Sequence, residues 1–238
     1  MTASRTRVPA RYAAPAAAAV VLALAAGCGS APPPSPPSGV DELVVPTPSP
    51  DPADFVDEVD NPWLPLTAGS VWTRRVTSAD GVRTEEARVT GTRSVAGVTA
   101  TEVRTARAGG AGPADLRVEW FAQDRGGNVW LLGEQGVWEA GEDGAEAGLA
   151  MPADPRRGDG FARWAQEQEV RAVVLVGERE ASATLPAGRF TDLLETTWSE
   201  RSDGADEEWT VWSASGVGEV LRQGPEGRVE LVEHQSGE

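Results

Sequence analysis

From about residue 53 onward, apolar and polar residues alternate with a period of two over short runs. In "LRVEWFA", Leu116, Val118 and Trp120 alternate with Arg117 and Glu119, the pattern of a strand with one buried face. Similar runs rich in Val, Thr, Trp and Leu are "SVWTRRVT", "TEEARVTG", "VTATEVRTA", "NVWLLG", "VRAVVLVGERE", "SATL", "LLETTW", "EEWTVW", "EVLRQ" and "RVELVEH". Gly, Asp-Gly or Pro-Ala-Gly separates them, and these residues favour tight turns. No run keeps an apolar stripe of helical period for three turns. The pattern predicts an all-β domain, an antiparallel meander of about 10–12 strands in a curled sheet, an open barrel or a sandwich.

Two stretches of the meander resemble each other. In residues 69–134 an Ala96-Gly97 turn precedes the pair Glu119-Trp120; in residues 160–224 Ala187-Gly188 precedes Glu208-Trp209 at a similar interval. Two similar halves laid side by side would produce this, and so would chance likeness between two biased β segments. The comparison bears on "AQDRGGNV", which holds an Asp, an Asn and two Gly. The matching turn in the second half is "SASGVGEV", without Asp or Asn. Asp124 and Asn128 are therefore expected to serve turn chemistry, satisfying local amides while a glycine takes positive φ. A calcium loop would need six or more oxygens, and a propeller would need this word at least four times.

The N-terminus changes the picture from domain to compartment. Arg5, Arg7 and Arg11 precede an apolar run from Ala13 to Ala26, too short for the roughly 20 residues of a membrane-spanning helix and typical of an export signal. Ala25-Ala26-Gly27-Cys28 resembles a bacterial lipobox, with Ala25 where Leu is commoner, and Cys28 is the only cysteine. Residues 1–27 therefore read as a lipoprotein signal peptide and Cys28 as the lipidation site, which places the mature chain at the cell membrane, lipid-anchored on the extracytoplasmic face. Between Ser30 and Pro52, nine of 23 residues are Pro. Residues 28–52 are thus a lipidated, extended tether with a reach of roughly 70 Å, and residues 53–238 one globular domain. A single cysteine makes no internal disulfide, so the fold must hold by packing.

The chain has 21 basic residues, all Arg, and 37 acidic ones; without the three Arg of residues 1–27 its net charge is −19. Such a field repels phosphate backbones and excludes nucleic acid as a partner. Absence of Lys excludes a P-loop, a Schiff base and a Ser-Lys dyad. His234 is the only histidine and stands in "VELVEHQ" with no G-x-S-x-G elbow anywhere, which argues against a Ser-His-Asp triad and, without further Cys or His, against zinc. No cofactor or metal is implied. Glu134 and Glu139 flank Trp130 and Trp138, and paired acids beside indoles are what a glycosidase uses; two strands with Trp inside and Glu outside give the same residues. "MPADPRRGDG", with Asp154 and Asp159 beside Arg156 and Arg157, suits a rigid loop as well as a site.

"DNPWLPLTAGSVW", "AQDRGGNVWLLGE", "MPADPRRGDG", "LPAGRFTDLL" and "SGVGEV", in this order, resemble an uncharacterised family of secreted proteins and lipoproteins of high-GC bacteria. The resemblance spans nearly the whole domain and implies no reaction and no catalytic residues. Where that family tends to carry a Lys-Tyr-Tyr-like strand, this chain has Trp209-Thr210-Val211-Trp212, so any contact made by those hydroxyls is missing.

The mature chain holds nine Trp and no Tyr. On "EEWTVWS", Trp209 and Val211 point one way and Trp212 the other, so both faces carry an indole, which suits a curled sheet around a hollow. Trp120 and Trp209 are the expected ligand-binding residues, lining an apolar interior that admits a lipid-like ligand. The function that follows is a non-catalytic, membrane-tethered envelope lipoprotein binding an apolar ligand or a protein partner. A carboxylate-dependent extracellular hydrolase and a passive structural module are the alternatives, and the pattern leaves the oligomeric state open.

Overall fold

A computed structural model describes residues 51–108, 116–167, 169–202, 205–225 and 227–237; Cys28, the signal segment and nearly all of the tether lie outside them. The described residues form sixteen strands: β1 (Phe55–Val56), β2 (Val71–Ser78), β3 (Gly81–Val95), β4 (Val98–Ala108), β5 (Leu116–Asp124), β6 (Val129–Glu134), β7 (Trp138–Glu139), β8 (Ala145–Glu146), β9 (Gly148–Met151), β10 (Gly160–Gln166), β11 (Glu169–Val176), β12 (Ala181–Leu185), β13 (Gly188–Ser202), β14 (Ala205–Ala214), β15 (Gly218–Gly224) and β16 (Gly227–Gln235). Among the described residues no helix is long and apolar enough to cross a membrane.

Pairing is antiparallel throughout, in the order β7-β6-β5-β4-β3-β2-β16-β15-β14-β13-β11-β10-β8. The last long strand thus lies beside the first, with Val229 opposite Val76. The two ends of this path come back together: β9 pairs with β6 and crosses β10 so closely that a Cβ on Gly148 would run into the Arg163 carbonyl. The sheet is a nearly closed barrel, which leaves few bare edges.

The expected meander is present, with more strands than the pattern predicted. The extra ones are mostly two-residue bridges (β1, β7, β8), too short to show a period. β10 has the length of a strand, but register shifts at Ala162 and Trp164 break its alternation. Strands β3 to β6 and β12 to β15 follow the same order of hairpins, as two similar halves would. Their Glu-Trp pairs, however, are out of phase: Glu119 and Trp209 line a cavity at the barrel mouth, whereas Trp120 does not.

On β5 the alternation holds but its sense is reversed. The apolar set faces outward: Leu116 is 48% exposed, and Val118 and Trp120 are buried beneath an outer layer. Arg93 of β3 lies over the Trp120 ring at 4.0 Å, and the Trp120 indole N–H donates to Glu102 at 3.4 Å. The charged set, Arg117 and Glu119, faces into the barrel. Side chains of opposite charge that find each other inside outweigh the ordinary preference of charge for water.

One end of the barrel is plugged by "NPWLPL", residues 61–66. Asn61 is buried and its side-chain amide donates to the carbonyls of Gly127 and Pro152, both at 2.9 Å, while its Oδ1 accepts from the Trp63 N–H at 2.9 Å. Gln123 Oε1 accepts from the Asp60 and Asn61 amides at 3.0 and 2.8 Å. The Gly216 N–H donates to the Pro62 carbonyl at 2.7 Å, and the Trp72 indole to the Val217 carbonyl at 2.7 Å. Four of the five sequence words singled out above therefore meet at this plug, and their residue choices are accounted for by architecture.

Candidate functional site

The β5–β6 turn is a hairpin held by its own polar side chains. Asp124 accepts from the Asn128 amide at 3.0 Å and from the Trp130 indole at 2.9 Å, Gly127 takes φ +87°, and Asn128 Oδ1 accepts from the Ala153 N–H at 2.9 Å. The "MPADPRRGDG" loop is likewise structural: Asp159 is buried and accepts from the Arg156 N–H at 2.8 Å, while Asp154 stands exposed beside Arg156. His234 stacks on Trp72 at 5.2 Å, and burial together with Arg74 pushes its imidazole below the ordinary value.

Above the plug, the barrel interior is crossed by a lattice of ion pairs. Glu85 of β3 meets Arg74 of β2 at 3.4 Å, Arg107 of β4 at 3.1 Å and Arg222 of β15 at 3.5 Å. Glu119 of β5 meets Arg163 of β10 at 3.1 Å and Arg117 at 3.4 Å. Glu219 joins Arg222 at 3.4 Å and Arg74 at 3.9 Å. Burial pushes both the Glu85 and Glu119 carboxyls up, but the arginines outweigh it: Arg74, Arg222 and Arg107 hold Glu85 below the usual glutamate range, and Arg117 and Arg163 do so for Glu119. Glu119 in turn holds Arg117 firmly protonated.

The lattice divides the interior. Toward the plug lies a hollow of about 90 Å³ among Trp63, Leu66, Trp72, Phe121 and Val211, well below the few hundred Å³ of a ligand pocket. On the other side a cavity of about 450 Å³ opens at the barrel mouth. Four indoles line it, Trp138, Trp164, Trp198 and Trp209. Trp138 and Trp164 are stacked at 5.3 Å and 9°, the Arg163 guanidinium lies 4.3 Å over Trp198, and Trp209 lies across Gly224, which has no room for a Cβ beneath that ring. Glu119, Glu134, Glu200 and Glu207 face the same space, as do Arg107, Arg117, Arg163 and Arg222. Burial and the charge of Glu119 push the Glu134 carboxyl above its ordinary value.

These positions correct two expectations. Trp209 lines the cavity, but Trp120 lies on the other face of its strand and borders a separate outer hollow of about 200 Å³; adjacent residues of a strand point to opposite faces, and Glu119 takes the inner one. The interior is also not the apolar hollow expected for an acyl chain: its apolar half is filled by the plug, and its open half is lined by charge. Of the expected carboxylate pair, Glu134 reaches the cavity, whereas Glu139 turns outward to Arg93 at 3.0 Å. The pair that does share a face is Glu119 and Glu134, directly opposite each other on β5 and β6.

Sequence reasoning did not reach Glu85, Arg74, Arg163, Arg222, Glu200 or Glu207. The signal available was "TRRV", "RVEW" and "LRQG", where arginine stands at alternate positions of apolar strands in a chain without lysine; a fork-shaped, weakly hydrated cation suits interior ion pairs.

No protein-family model and no curated protein matches this chain. Two solved structures are similar to it. One is a candidate exported protein of Bacteroides fragilis with a YmcC-like fold, 14% identical, TM-score 0.45, covering 73% of this chain and 99% of its own. The other is a candidate lipoprotein of Parabacteroides distasonis, 16% identical, TM-score 0.41, covering 73% and 98%.

Proposed function

We propose that this chain is an exported lipoprotein, tethered by lipid on Cys28 outside the cytoplasmic membrane, whose barrel binds a small polar ligand at its mouth without transforming it. The observation that carries the proposal is the cavity of about 450 Å³: it lies within the size range of small-molecule sites, and it presents four indole faces beside charged groups held in place by the lattice. Indoles over a polar floor bind ligands that have both a flat or apolar surface and polar substituents. The test is a fluorescence and thermal-shift survey of the mature chain against neutral sugars, amino acids, organic anions and organic cations. Saturable quenching by one class, weakened in Trp209→Ala, supports the proposal. No response from any class overturns it in favour of a passive module.

One observation favours a second reading, a carboxylate-dependent hydrolase. Glu119 and Glu134 are cross-strand neighbours whose pKa values are displaced in opposite directions, the division between a base and an acid used in glycoside hydrolysis. Turnover of aryl glycosides that vanishes in Glu134→Gln while the fold persists would establish it.

A further inference from the structure

Two pairs of glutamates stand directly opposite each other across the strands of the mouth, Glu119 with Glu134 on β5 and β6, and Glu200 with Glu207 on β13 and β14. All four face the cavity. Like charges in this position repel and weaken a sheet. Glu119 is matched by Arg117 and Arg163. Glu134, Glu200 and Glu207 have no ion-pair partner within 4.0 Å among the described residues, although arginines line the same cavity. Those arginines are engaged in the lattice: Arg107 and Arg222 on Glu85, Arg117 and Arg163 on Glu119.

We infer that the ligand of this cavity is an organic cation, whose ammonium group sits between the carboxylates of Glu134, Glu200 and Glu207 and the indole faces of Trp198 and Trp209. The inference rests on the proposal that the cavity binds a small polar ligand, and specifies its class. Indole faces carry negative potential and attract a desolvated ammonium group. Trp198 and Trp209 are themselves cross-strand partners, two residues in from Glu200 and Glu207 on the same strands, so rings and carboxylates share one face of one hairpin. An anionic ligand would meet three carboxylates that have no ion-pair partner within 4.0 Å among the described residues, on a chain that is already strongly acidic, and a neutral polyol would leave the glutamate repulsion in place. A cation alone removes it. Burial and Glu119 hold the Glu134 carboxyl above its ordinary value although Arg117 and Arg163 act in the other direction, so a further cation beside it would favour its charged form.

The experiment is calorimetric titration of the mature chain with choline, with maltose as the neutral probe and glucuronate as the anionic one. A Glu200→Gln, Glu207→Gln double variant keeps the shape of the wall and relieves the repulsion, so it should fold at least as well as the parent. The expected result is saturable choline binding that weakens by about tenfold in this variant, the loss of roughly one charge contact, and that weakens again in Trp198→Phe. Maltose or glucuronate binding in place of choline overturns the cation while leaving a polar-ligand protein. Choline binding that is indifferent to the double variant overturns the placement. Silence from every probe removes the binding function itself and the cation with it.

Discussion

At Glu85 a single carboxylate, 1% exposed, answers guanidinium groups from three strands. Removing one member of such a cluster leaves buried charge uncompensated, so Glu85→Ala should lower stability by about 3–5 kcal/mol in guanidinium unfolding, more than any exposed glutamate replaced alike. The pH dependence has two signs. Arg74, Arg222 and Arg107 keep the folded Glu85 pKa below 4.5 despite burial, so its stabilisation is present above that value and is lost as pH falls through the folded pKa. Burial and Glu119 keep the folded Glu134 pKa above 4.5, so stability declines as pH rises from 4.5 through the folded value. Glu134→Gln should therefore raise the thermal midpoint at neutral pH, with the gain gone below about pH 4; an equal gain at both pH values would refute this role. The partners of neither residue were legible in the sequence, because cross-strand register decides which side chains of neighbouring strands meet, and barrel closure brings Arg222 of β15 to Glu85.

Elements were more legible than partners. The runs with period-two alternation became strands because each buries one side of its pleat, and the hairpin at Asp124 followed from the turn chemistry of Asp, Gly and Asn. Asp124→Ala would leave the Asn128 amide and the Trp130 indole without their acceptor, a loss of about 1–3 kcal/mol that should show as faster hydrogen exchange in the β5–β6 turn. The closing seam was not legible. Gly148 reads as one glycine among many, yet it is where β9 meets the β10 backbone. Gly148→Ala should force the two apart at about 1–3 kcal/mol and expose β9 amides to exchange; unchanged protection of β9 would show that the seam tolerates a Cβ. Which face of β5 turns inward was also beyond the alternation, since a period of two specifies that faces differ and not which one the barrel encloses.

At the scale of the whole molecule, the proposed lipid on Cys28 would decide where the barrel works. Cys28→Ala should leave the precursor unprocessed by lipoprotein peptidase or release the chain to the medium, read by membrane fractionation and by acyl mass on the mature N-terminus; unchanged anchoring without acyl mass would refute lipidation. The sequence by itself determined the all-β class and the antiparallel meander of strands. Each of these depends on local order or on bulk composition. Tertiary structure decided the rest: that the polar face of β5 points inward, that Trp209 lines the cavity while Trp120 does not, and that the mouth glutamates oppose one another. Closing a sheet brings strands together that are distant in sequence, and an interior charge is tolerable only where another strand supplies its partner. The chemistry of this interior is therefore a property of strand register, which one-dimensional alternation does not encode.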